Sequence, residues 1–336
     1  MAFSALAAAI VAAPAAAAEN GEVNVYSYRQ EILIRPLLDR FTAATGIRVN
    51  VVSGQADALL ERLKSEGQNS PADMLLTVDA GRLFRARQAG LLQPILSPVL
   101  EASVPPQYRD PEGYWYGLSV RARPIVYAKD RVEASELSTY EALAEPRWKG
   151  RVCVRSSNNI YNQSMIAAMI AHLGAAATEA WGRGLVANFA RPPKGGDRDQ
   201  IRAVAAGECD VAIVNTYYLA RMLLSGDPGD RRAASAVAIF WPNQQGRGTH
   251  VNVSGAAVTW SAKNLDQALR LLEFLVGDEA QRIYAEEVQE YPVKPGVKPS
   301  EVVASWGPFK ADKLNLAVLG ENNAAAVRIA DRVGWR

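Results

Sequence analysis

The chain has 336 residues, 49% of them hydrophobic and 21% charged, with a formal net charge of +2. This length predicts about two domains, each long enough to bury a proper core. Charges of both signs are interspersed, and no basic block of the kind that tracks nucleic acid is present, so we expect no nucleic-acid partner.

The N-terminal segment 1–18, MAFSALAAAIVAAPAAAA, carries no charge and ends in small residues. These features are typical of a secretory signal peptide, and we predict cleavage between Ala18 and Glu19, although the usual basic residues before the apolar run are missing. A membrane-spanning helix is the alternative, but the run is Ala-rich, short and broken by Pro14. No later stretch is apolar enough to span a bilayer. We therefore expect an exported, soluble protein of the periplasm.

The segment after the leader alternates short strands with helices. The predicted order is strand 22–28, helix 33–46, strand 47–54, helix 56–67, strand 72–79 and helix 80–90. Such alternation with short loops indicates βαβ units and a mostly parallel sheet. The following run, YWYGLSVRARPIVYAKD at 114–130, is rich in β-forming residues and interrupted by Pro124. We interpret it as a crossover from one lobe to another.

A second α/β series follows this crossover. It comprises strand 150–157, helices 163–174, 176–189 and 198–207, strand 209–215, helix 217–226, strands 236–243 and 249–260, one long amphipathic helix 265–287 and helical segments between 311 and 334. The fold class predicted is α/β, with two lobes joined by two β-strand crossovers and a ligand cleft between the lobes. Lobe 1 is predicted at 19–120 plus 250–295, and lobe 2 at 121–249 plus 296–336. Such lobes can close on a ligand by hinge motion.

Two cysteines, Cys153 and Cys209, lie near the starts of predicted strands. In an oxidising compartment an even pair can form a disulfide, and neighbouring parallel strands would bring the two within bonding distance. Buried free thiols are an equally common outcome. The sequence leaves both alternatives open.

Ligands of such sheets bind beyond the carboxyl ends of the strands. Four loops with unusual residues are predicted there, each between a strand and a helix: YSYRQE (26–31), TVD (77–79), RSSNNIYNQS (155–164) and NTYYLAR (215–221). Together they would place around one cleft the side chains of Tyr28, Arg29, Gln30, Glu31, Tyr161, Tyr217, Tyr218 and Arg221.

A tyrosine taken singly is best explained as a ring packed at a domain edge. Three tyrosines converging on one cleft fit that explanation less well, because each buried hydroxyl needs a partner. Oxygen ligands suit hard cations, and the anionic phenolate suits Fe(III) in particular. A bound trivalent ion can hold a phenol deprotonated at neutral pH, although its free pKa is near 10.

The segments NVYSYRQ, RSSNNIYNQS and NTYYLAR resemble the signatures of the periplasmic ferric-ion-binding proteins of bacterial ABC iron importers, including the cyanobacterial iron-uptake branch. The resemblance covers nearly all of the mature chain, and LSVRAR at the crossover is a further match. Its most specific part is the tandem tyrosine, with Tyr161 lying 56 residues before Tyr217. It implies a transferrin-lobe-like fold and a monomer that binds Fe(III) without being an enzyme. It further implies delivery to an inner-membrane ABC permease and its ATPase.

Residue by residue, the resemblance implies that Tyr161, Tyr217 and Tyr218 ligate the iron. Some members add a His or a further Tyr from the first loop, but this chain has Arg29-Gln30-Glu31 there. That departure resembles the branch in which carbonate or a similar anion fills the remaining positions.

The expected holders of this anion are Arg29 and Gln30, with Arg121 or Arg123 from the crossover. Arg221, on an expected exposed turn, would balance the phenolate charge. Glu31 is an alternative direct ligand, and Tyr28 is a further candidate.

The other polar residues have ordinary explanations. Asp79 is predicted to cap the helix that begins at Ala80. His172 and His250 are given no metal role. The main alternative function is a two-lobed protein that binds an organic or oxyanion ligand, with the tyrosines stacking on it. The hypothesis that the protein is an enzyme has little support, since the G-x-S-x-G, P-loop and HExxH motifs are absent from the sequence.

Overall fold

The computed structural model describes residues 21–336, so the predicted signal peptide lies outside the described residues. No helix within 21–336 combines the length and the hydropathy that a bilayer span requires. The strands are β1 (Glu22–Ser27), β2 (Arg48–Ser53), β3 (Met74–Val78), β4 (Tyr116–Ala122), β5 (Ile125–Ala128), β6 (Val152–Cys153), β7 (Val211–Ile213), β8 (Val237–Phe240), β9 (Val251–Val258) and β10 (Tyr291–Pro292).

Most of the helices follow the predicted order. They are α1 (Glu31–Thr45), α2 (Ala56–Glu66), α3 (Ala80–Gln88), α4 (Pro98–Ser103), α5 (Ile160–Leu173), α6 (Ala175–Ala187), α7 (Asp197–Ala205), α8 (Thr216–Leu223), α9 (Pro228–Ser235), α10 (Leu265–Leu275), α11 (Asp278–Ile283), α12 (Glu301–Ala304), α13 (Ala317–Glu321) and α14 (Asn323–Val333). Short 3-10 turns occur at Gly67–Asn69, Pro106–Tyr108, Ala134–Glu136, Glu141–Ala144 and Pro146–Trp148, and a π-helical turn at Tyr284–Val288.

The strands form two sheets, one in each lobe. The first has six strands in the order β10-β4-β9-β3-β1-β2, and the second has four in the order β6-β7-β5-β8. In the first sheet β1 runs parallel to β2 and β3, whereas β9 is antiparallel to both β3 and β4. The prediction of mostly parallel sheets is therefore wrong. The strands that enter from the crossovers run against the βαβ units, and the sheets are mixed.

The two predicted crossovers are confirmed. β4 ends at Ala122 in the first sheet, and β5 begins at Ile125 in the second. Pro124 lies between them, and because it has no N–H it cannot continue the hydrogen-bond ladder. The chain returns between β8 of the second sheet and β9 of the first. The α/β two-lobed fold class is as predicted, and the residue limits of the lobes remain a prediction.

Helix α1 shows how the sequence positions one edge of the cleft. Its apolar residues Ile34, Leu37, Leu38 and Phe41 recur at helical spacing and are buried. The helix ends at Gly46, whose φ of 73° is a left-handed conformation that favours glycine. Its first turn therefore begins directly after the polar segment that follows β1.

The long helix predicted over 265–287 is wrong in its length. Helix α10 ends at Leu275, and α11 begins at Asp278 after Gly277 in an extended conformation. Glycine destabilises the interior of a helix, which favours an interruption at Gly277. The acidic side chains of Asp278 and Glu279 favour the N-terminus of a new helix directly after it.

The two cysteines form a disulfide. Cys153 ends β6, which pairs in parallel with β7, and Cys209 lies two residues before β7 begins. The two Cα atoms are 5.9 Å apart. Of the two alternatives that the sequence left open, the structure selects the bond.

Candidate metal site

A cleft of about 440 Å³ lies between the two lobes. Its lining residues are Tyr28, Arg29, Gln30, Leu33, Gly54, Gln55, Val78, Tyr161, Arg198, Tyr217, Tyr218 and Arg221. One wall comes from the loops after β1, β2 and β3, and the other from the first turns of α5, α7 and α8. The structure thus brings together the predicted site residues except Glu31 and the two crossover arginines, Arg121 and Arg123.

Tyr161 lies in the first turn of α5. The side chain of Asn159 caps this helix by accepting a hydrogen bond from the Tyr161 backbone N–H, with an N–O distance of 3.0 Å. The cap holds the start of the helix at the cleft, and the tyrosine side chain is 8% exposed. Its hydroxyl lies 3.2 Å from the hydroxyl of Tyr217. Two phenol oxygens from different helices therefore meet at hydrogen-bond distance.

Tyr217 and Tyr218 follow β7 and lie in the first turn of α8. Helical neighbours point about 100° apart around the axis, yet these two rings stack with centroids 4.2 Å apart and a tilt of 33°. Burial, with Tyr161 and Tyr218 nearby, raises the pKa of Tyr217 well above 10. Burial also raises the pKa of Tyr218. Both phenols are therefore protonated in the iron-free protein, and a metal that takes them as ligands must displace the protons.

Three guanidinium groups surround the ring of Tyr161. The central carbons of Arg121, Arg123 and Arg155 lie 5.5, 5.9 and 5.4 Å from the ring centroid. Arg123 and Arg155 share the buried carboxylate of Asp197, at 3.2 and 2.9 Å. The ring of Tyr161 therefore lies within a cluster of positive charge.

Arg121 is held differently from the other two. It is 1% exposed, and its Nη2 lies 3.8 Å from Oδ2 of Asp79, too far for a hydrogen bond. Neither of these two buried atoms has another partner among residues 21–336. The guanidinium of Arg121 thus lies near the ring of Tyr161, and Arg121 is outside the lining of the cleft.

Arg29 lines the first wall but is already paired. Its guanidinium donates to both carboxylate oxygens of Glu290, at 3.0 and 3.3 Å, and to the hydroxyl of Ser254 at 3.0 Å. Glu290 is completely buried and also accepts from Ser119. The sequence offered no signal for Glu290, which lies 261 residues from its partner. The Nε of Arg29 is buried without a partner in the described chain.

The remaining residues of the first loop differ in their exposure. Gln30 is exposed and lines the cleft. Tyr28 also lines it, and the guanidinium of Arg82 lies 4.5 Å from the centroid of its ring. The side chain of Glu31 is 52% exposed and pairs with Arg35 one turn along α1. Glu31 is outside the cleft lining, whereas Gln30 and Tyr28 are part of it.

Arg221 is half-buried, so the prediction that it lies on an exposed turn is wrong. Burial lowers its pKa, and the nearby guanidinium groups of Arg198 and Arg29 lower it further. Sequence reasoning missed Arg198 and Gln55. Each lies at a helix N-terminus that faces the cleft, and only the order of the helices around the cleft reveals this.

The prediction for Asp79 is confirmed. Its Oδ1 accepts from the backbone N–H of Gly81 at 3.0 Å, which caps α3. The same oxygen accepts from Ser164 of α5 at 2.6 Å, a bond between the two walls.

The two histidines lie outside the cleft lining. Nε2 of His172 lies 2.7 Å from Asp312. Burial beside Arg123 and Arg121 lowers the pKa of His250 to about 3. Within the described range 21–336, no group of three or more His, Cys, Asp or Glu side chains is arranged to hold a metal. The tyrosines that line the cleft are its candidate metal donors.

Comparison with known proteins shows the family of the chain. The family model of bacterial extracellular solute-binding proteins matches residues 69–309. The chain is 50% identical over 318 residues to iron uptake protein A1 of Synechocystis sp., which covers 95% of this chain and 88% of that protein. It is 48% identical over 323 residues to iron uptake protein A2 of the same organism, covering 96% and 92%.

A solved structure shows the same likeness in three dimensions. The IdiA (FutA) protein of Trichodesmium, in complex with iron and citrate ligands, superposes with a TM-score of 0.92 at 51% identity. The superposition covers 94% of this chain and 100% of that chain.

Proposed function

This chain belongs to the bacterial extracellular solute-binding proteins, and we propose that its solute is Fe(III), captured in the periplasm and passed to an ABC permease with its ATPase. The observation that carries the proposal is the convergence of Tyr161, Tyr217 and Tyr218 on one cleft. Two of their oxygens lie 3.2 Å apart, although they come from different helices. The relatives named as iron uptake proteins support the same solute.

The three phenols suit a hard trivalent metal ion. Fe(III) replaces their protons, and the resulting phenolates bind it through oxygen. The surrounding arginines stabilise those phenolates once the iron has displaced the protons. In this proposal the protein performs no catalysis and acts as a monomer.

An anion completes the coordination of the iron in this proposal, with carbonate as the first candidate. Three phenolates and a carbonate carry five negative charges against three on the iron, so nearby guanidinium groups offset the excess. Gln30 and the free Nε of Arg29 offer hydrogen bonds to the anion, whereas Arg121 and Arg221 supply charge. Direct ligation by Glu31 has less support, because its side chain is 52% exposed and paired with Arg35. Tyr28 lies in the cleft and remains a candidate ligand.

The second candidate function is a binding protein for an organic or oxyanion ligand on which the tyrosines stack. The stacked pair of Tyr217 and Tyr218 and the size of the cleft favour it. In that case the phenols would keep their protons when the ligand binds.

Titration of the iron-free protein with ferric iron separates the two functions. Phenolate ligation gives a visible charge-transfer band, and Tyr161→Phe should remove much of it and weaken binding. Replacing a residue that only hydrogen-bonds to a metal ligand lowers metal affinity by roughly 10–100-fold. The loss of iron affinity in Tyr161→Phe should be larger than this. Tyr127→Phe, on β5 outside the cleft lining, is the matched control and should keep wild-type colour and affinity. Folded wild-type protein that stays colourless with iron would leave the organic or oxyanion ligand as the better proposal.

A further inference from the structure

A buried carboxylate outside the lining of the cleft joins three segments near the tyrosines. Asp197 is the first residue of α7 and is 1% exposed. Its Oδ1 accepts from Nη1 of Arg155, in the loop before α5, at 2.9 Å. Its Oδ2 accepts from Nη1 of Arg123 at 3.2 Å and from the backbone N–H of Asn215 at 2.7 Å. This one side chain therefore contacts the crossover, the loop before α5 and the residue before α8.

Arg123, a partner of this carboxylate, reaches both helices that carry the tyrosines. Its Nη1 donates to Oδ1 of Asn215 at 3.0 Å, and its Nη2 donates to Oδ1 of Asn162 at 2.6 Å. Asn162 directly follows Tyr161 in α5, and Asn215 is the N-cap of α8, two residues before Tyr217. Arg123, Asn162 and Asn215 are at most 2% exposed. The buried ion pair is thus bonded to the start of both helices.

The distance between two of the candidate ligands depends on how these helix starts are held. The hydroxyl oxygens of Tyr161 and Tyr217 lie 3.2 Å apart, although one belongs to α5 and the other to α8. A buried network whose hydrogen bonds are made holds its members rigidly. Groups that orient metal ligands without touching the metal contribute measurably to metal affinity.

The charge of Asp197 has the opposite effect on iron binding. Burial and the nearby Tyr161 raise the pKa of Tyr218, and the charge of Asp197 raises it further. A negative charge disfavours a phenolate, so by charge alone the carboxylate would weaken a site made of phenolates. Positioning and charge therefore predict changes of opposite sign when the carboxylate is removed.

We propose that Asp197 is a positioning residue of the metal site. Together with Arg123, it fixes the starts of α5 and α8 so that the oxygens of Tyr161 and Tyr217 can bind the same ion. Asp197 lies outside the cleft lining and acts through the tyrosines. The inference rests on the proposed function, since it concerns the spacing of the phenols that would bind iron.

The test compares two carboxylates that are each shared by two arginines. Wild-type, Asp197→Asn, Asp197→Glu and Asp210→Asn proteins are titrated with Fe(III) in bicarbonate buffer. Iron affinity, the position of the charge-transfer band and the unfolding of the iron-free protein are measured. Asp210 pairs with Arg131 at 2.9 Å and with Arg151 at 2.6 Å. It directly precedes β7, at the end of that strand away from α8, and is therefore the matched control.

Asp197→Asn should lower iron affinity by about 10–100-fold and shift the charge-transfer band, although it removes a negative charge near the phenols. Asp197→Glu keeps the charge but lengthens the side chain, so it should also weaken binding. Asp210→Asn should lose stability while keeping the wild-type affinity and band. Unchanged or raised iron affinity in folded Asp197→Asn protein overturns the positioning role, as does an equal loss of affinity in Asp210→Asn.

Two further variants keep the test decisive. If Asp197 acts through the spacing of Tyr161 and Tyr217, Asp197→Asn should have a smaller effect on affinity in a Tyr161→Phe background, because the two changes share one contact network. An effect of equal size in both backgrounds overturns the proposal. If Asp197→Asn does not fold, Asn162→Ala takes its place, since it loosens the start of α5 but keeps the ion pair. An unchanged affinity and band in Asn162→Ala would then overturn the proposal.

The wild-type protein separates this inference from the proposed function. Folded wild-type protein that gains no colour with iron overturns the proposed function itself. Wild-type protein that gains colour, with Asp197 variants of unchanged affinity, overturns only the positioning role.

Discussion

The two walls of the cleft are built from different chemistry and are held in place differently. The wall after β1 presents Arg29, which a buried ion pair with Glu290 fixes in position. The opposite wall presents three phenols, and the disulfide between Cys153 and Cys209 joins the strands that lead to them. The first wall thus adds a fixed guanidinium and hydrogen-bond donors, and the opposite wall supplies the candidate metal ligands together with the guanidinium groups of Arg198 and Arg221.

This division means that neither wall alone forms a complete site. The phenols of one lobe can start to bind the metal, but the hydrogen-bond donors of Arg29 and Gln30 that would hold the added anion come from the other lobe. Closing the cleft therefore brings the phenols of one wall close to the hydrogen-bond donors of the other. The bond between Asp79 and Ser164, at 2.6 Å, already links the two walls behind the site.

The largest expected effect concerns the buried ion pair of the first wall. Glu290→Gln keeps the shape of the side chain but leaves the buried Arg29 without its counter-charge. We expect a loss of about 3–5 kcal/mol in the free energy of unfolding, measured by chemical denaturation. Glu279→Gln, in the surface pair with Arg40, is the control and should cost no more than about 1 kcal/mol. Equal losses for the two variants would contradict a special role for the buried pair.

The contribution of the disulfide to the second wall can be tested in the same way. The bond closes a loop across 56 positions of sequence, so the double variant Cys153→Ala and Cys209→Ala should lose about 4 kcal/mol of unfolding free energy. Wild-type protein treated with reductant serves as the comparison and should lose stability similarly. A double variant as stable as the oxidised wild type would show that the packing of β6 against β7 holds this wall without the bond.

The contrast between protonated phenols and charged arginines predicts a pH dependence. Burial raises the pKa of Tyr217 and Tyr218 above the ordinary phenol value, so both release a proton when they bind iron. Protons compete with the metal, and iron affinity should fall as pH falls. The two protons released by this pair alone correspond to about 100-fold per pH unit. Iron occupancy measured against a competing chelator, with correction for the protonation of that chelator, tests this. Occupancy constant into strongly acidic solution would exclude phenolate ligation.

The smallest expected effect tests which residues of the first loop belong to the site. Glu31→Gln should leave the position of the charge-transfer band and the iron affinity unchanged, because Glu31 faces Arg35 outside the cleft lining. The lost surface pair should cost about 0.3–0.5 kcal/mol of stability. Gln30→Ala is the informative partner variant, since Gln30 lines the cleft. A shifted band in Glu31→Gln would identify Glu31 as a direct ligand.

Local patterns in the sequence predicted the elements but not the contacts between distant residues. The alternation of strands and helices, the crossover at Pro124 and the cap at Asp79 depend on neighbouring residues, and these predictions are confirmed. The pairing of Arg29 with Glu290 depends on the packing of segments 261 residues apart. No local pattern marks such a pair.

The charge of the second wall was underestimated for a related reason. Arg198 follows no strand, so a search confined to strand ends overlooked it. Its place in the cleft depends on how α7 packs beside α8. Arg221 was expected to be exposed because its helix was considered alone, without the neighbours that half-bury it.

The position of β9 in the first sheet constrains the order in which the chain can fold. β9 lies between β3 and β4, although it is formed by Val251–Val258, long after both. The second sheet, in contrast, uses only strands between Ile125 and Phe240, which are continuous in sequence. That sheet can form from one continuous segment, whereas the first sheet must wait for a distant strand, and such non-local pairing is slow. Until β9 arrives, β3 and β4 each leave an edge open to pairing with other chains. During synthesis and refolding, the first lobe is therefore the part of the protein most exposed to aggregation.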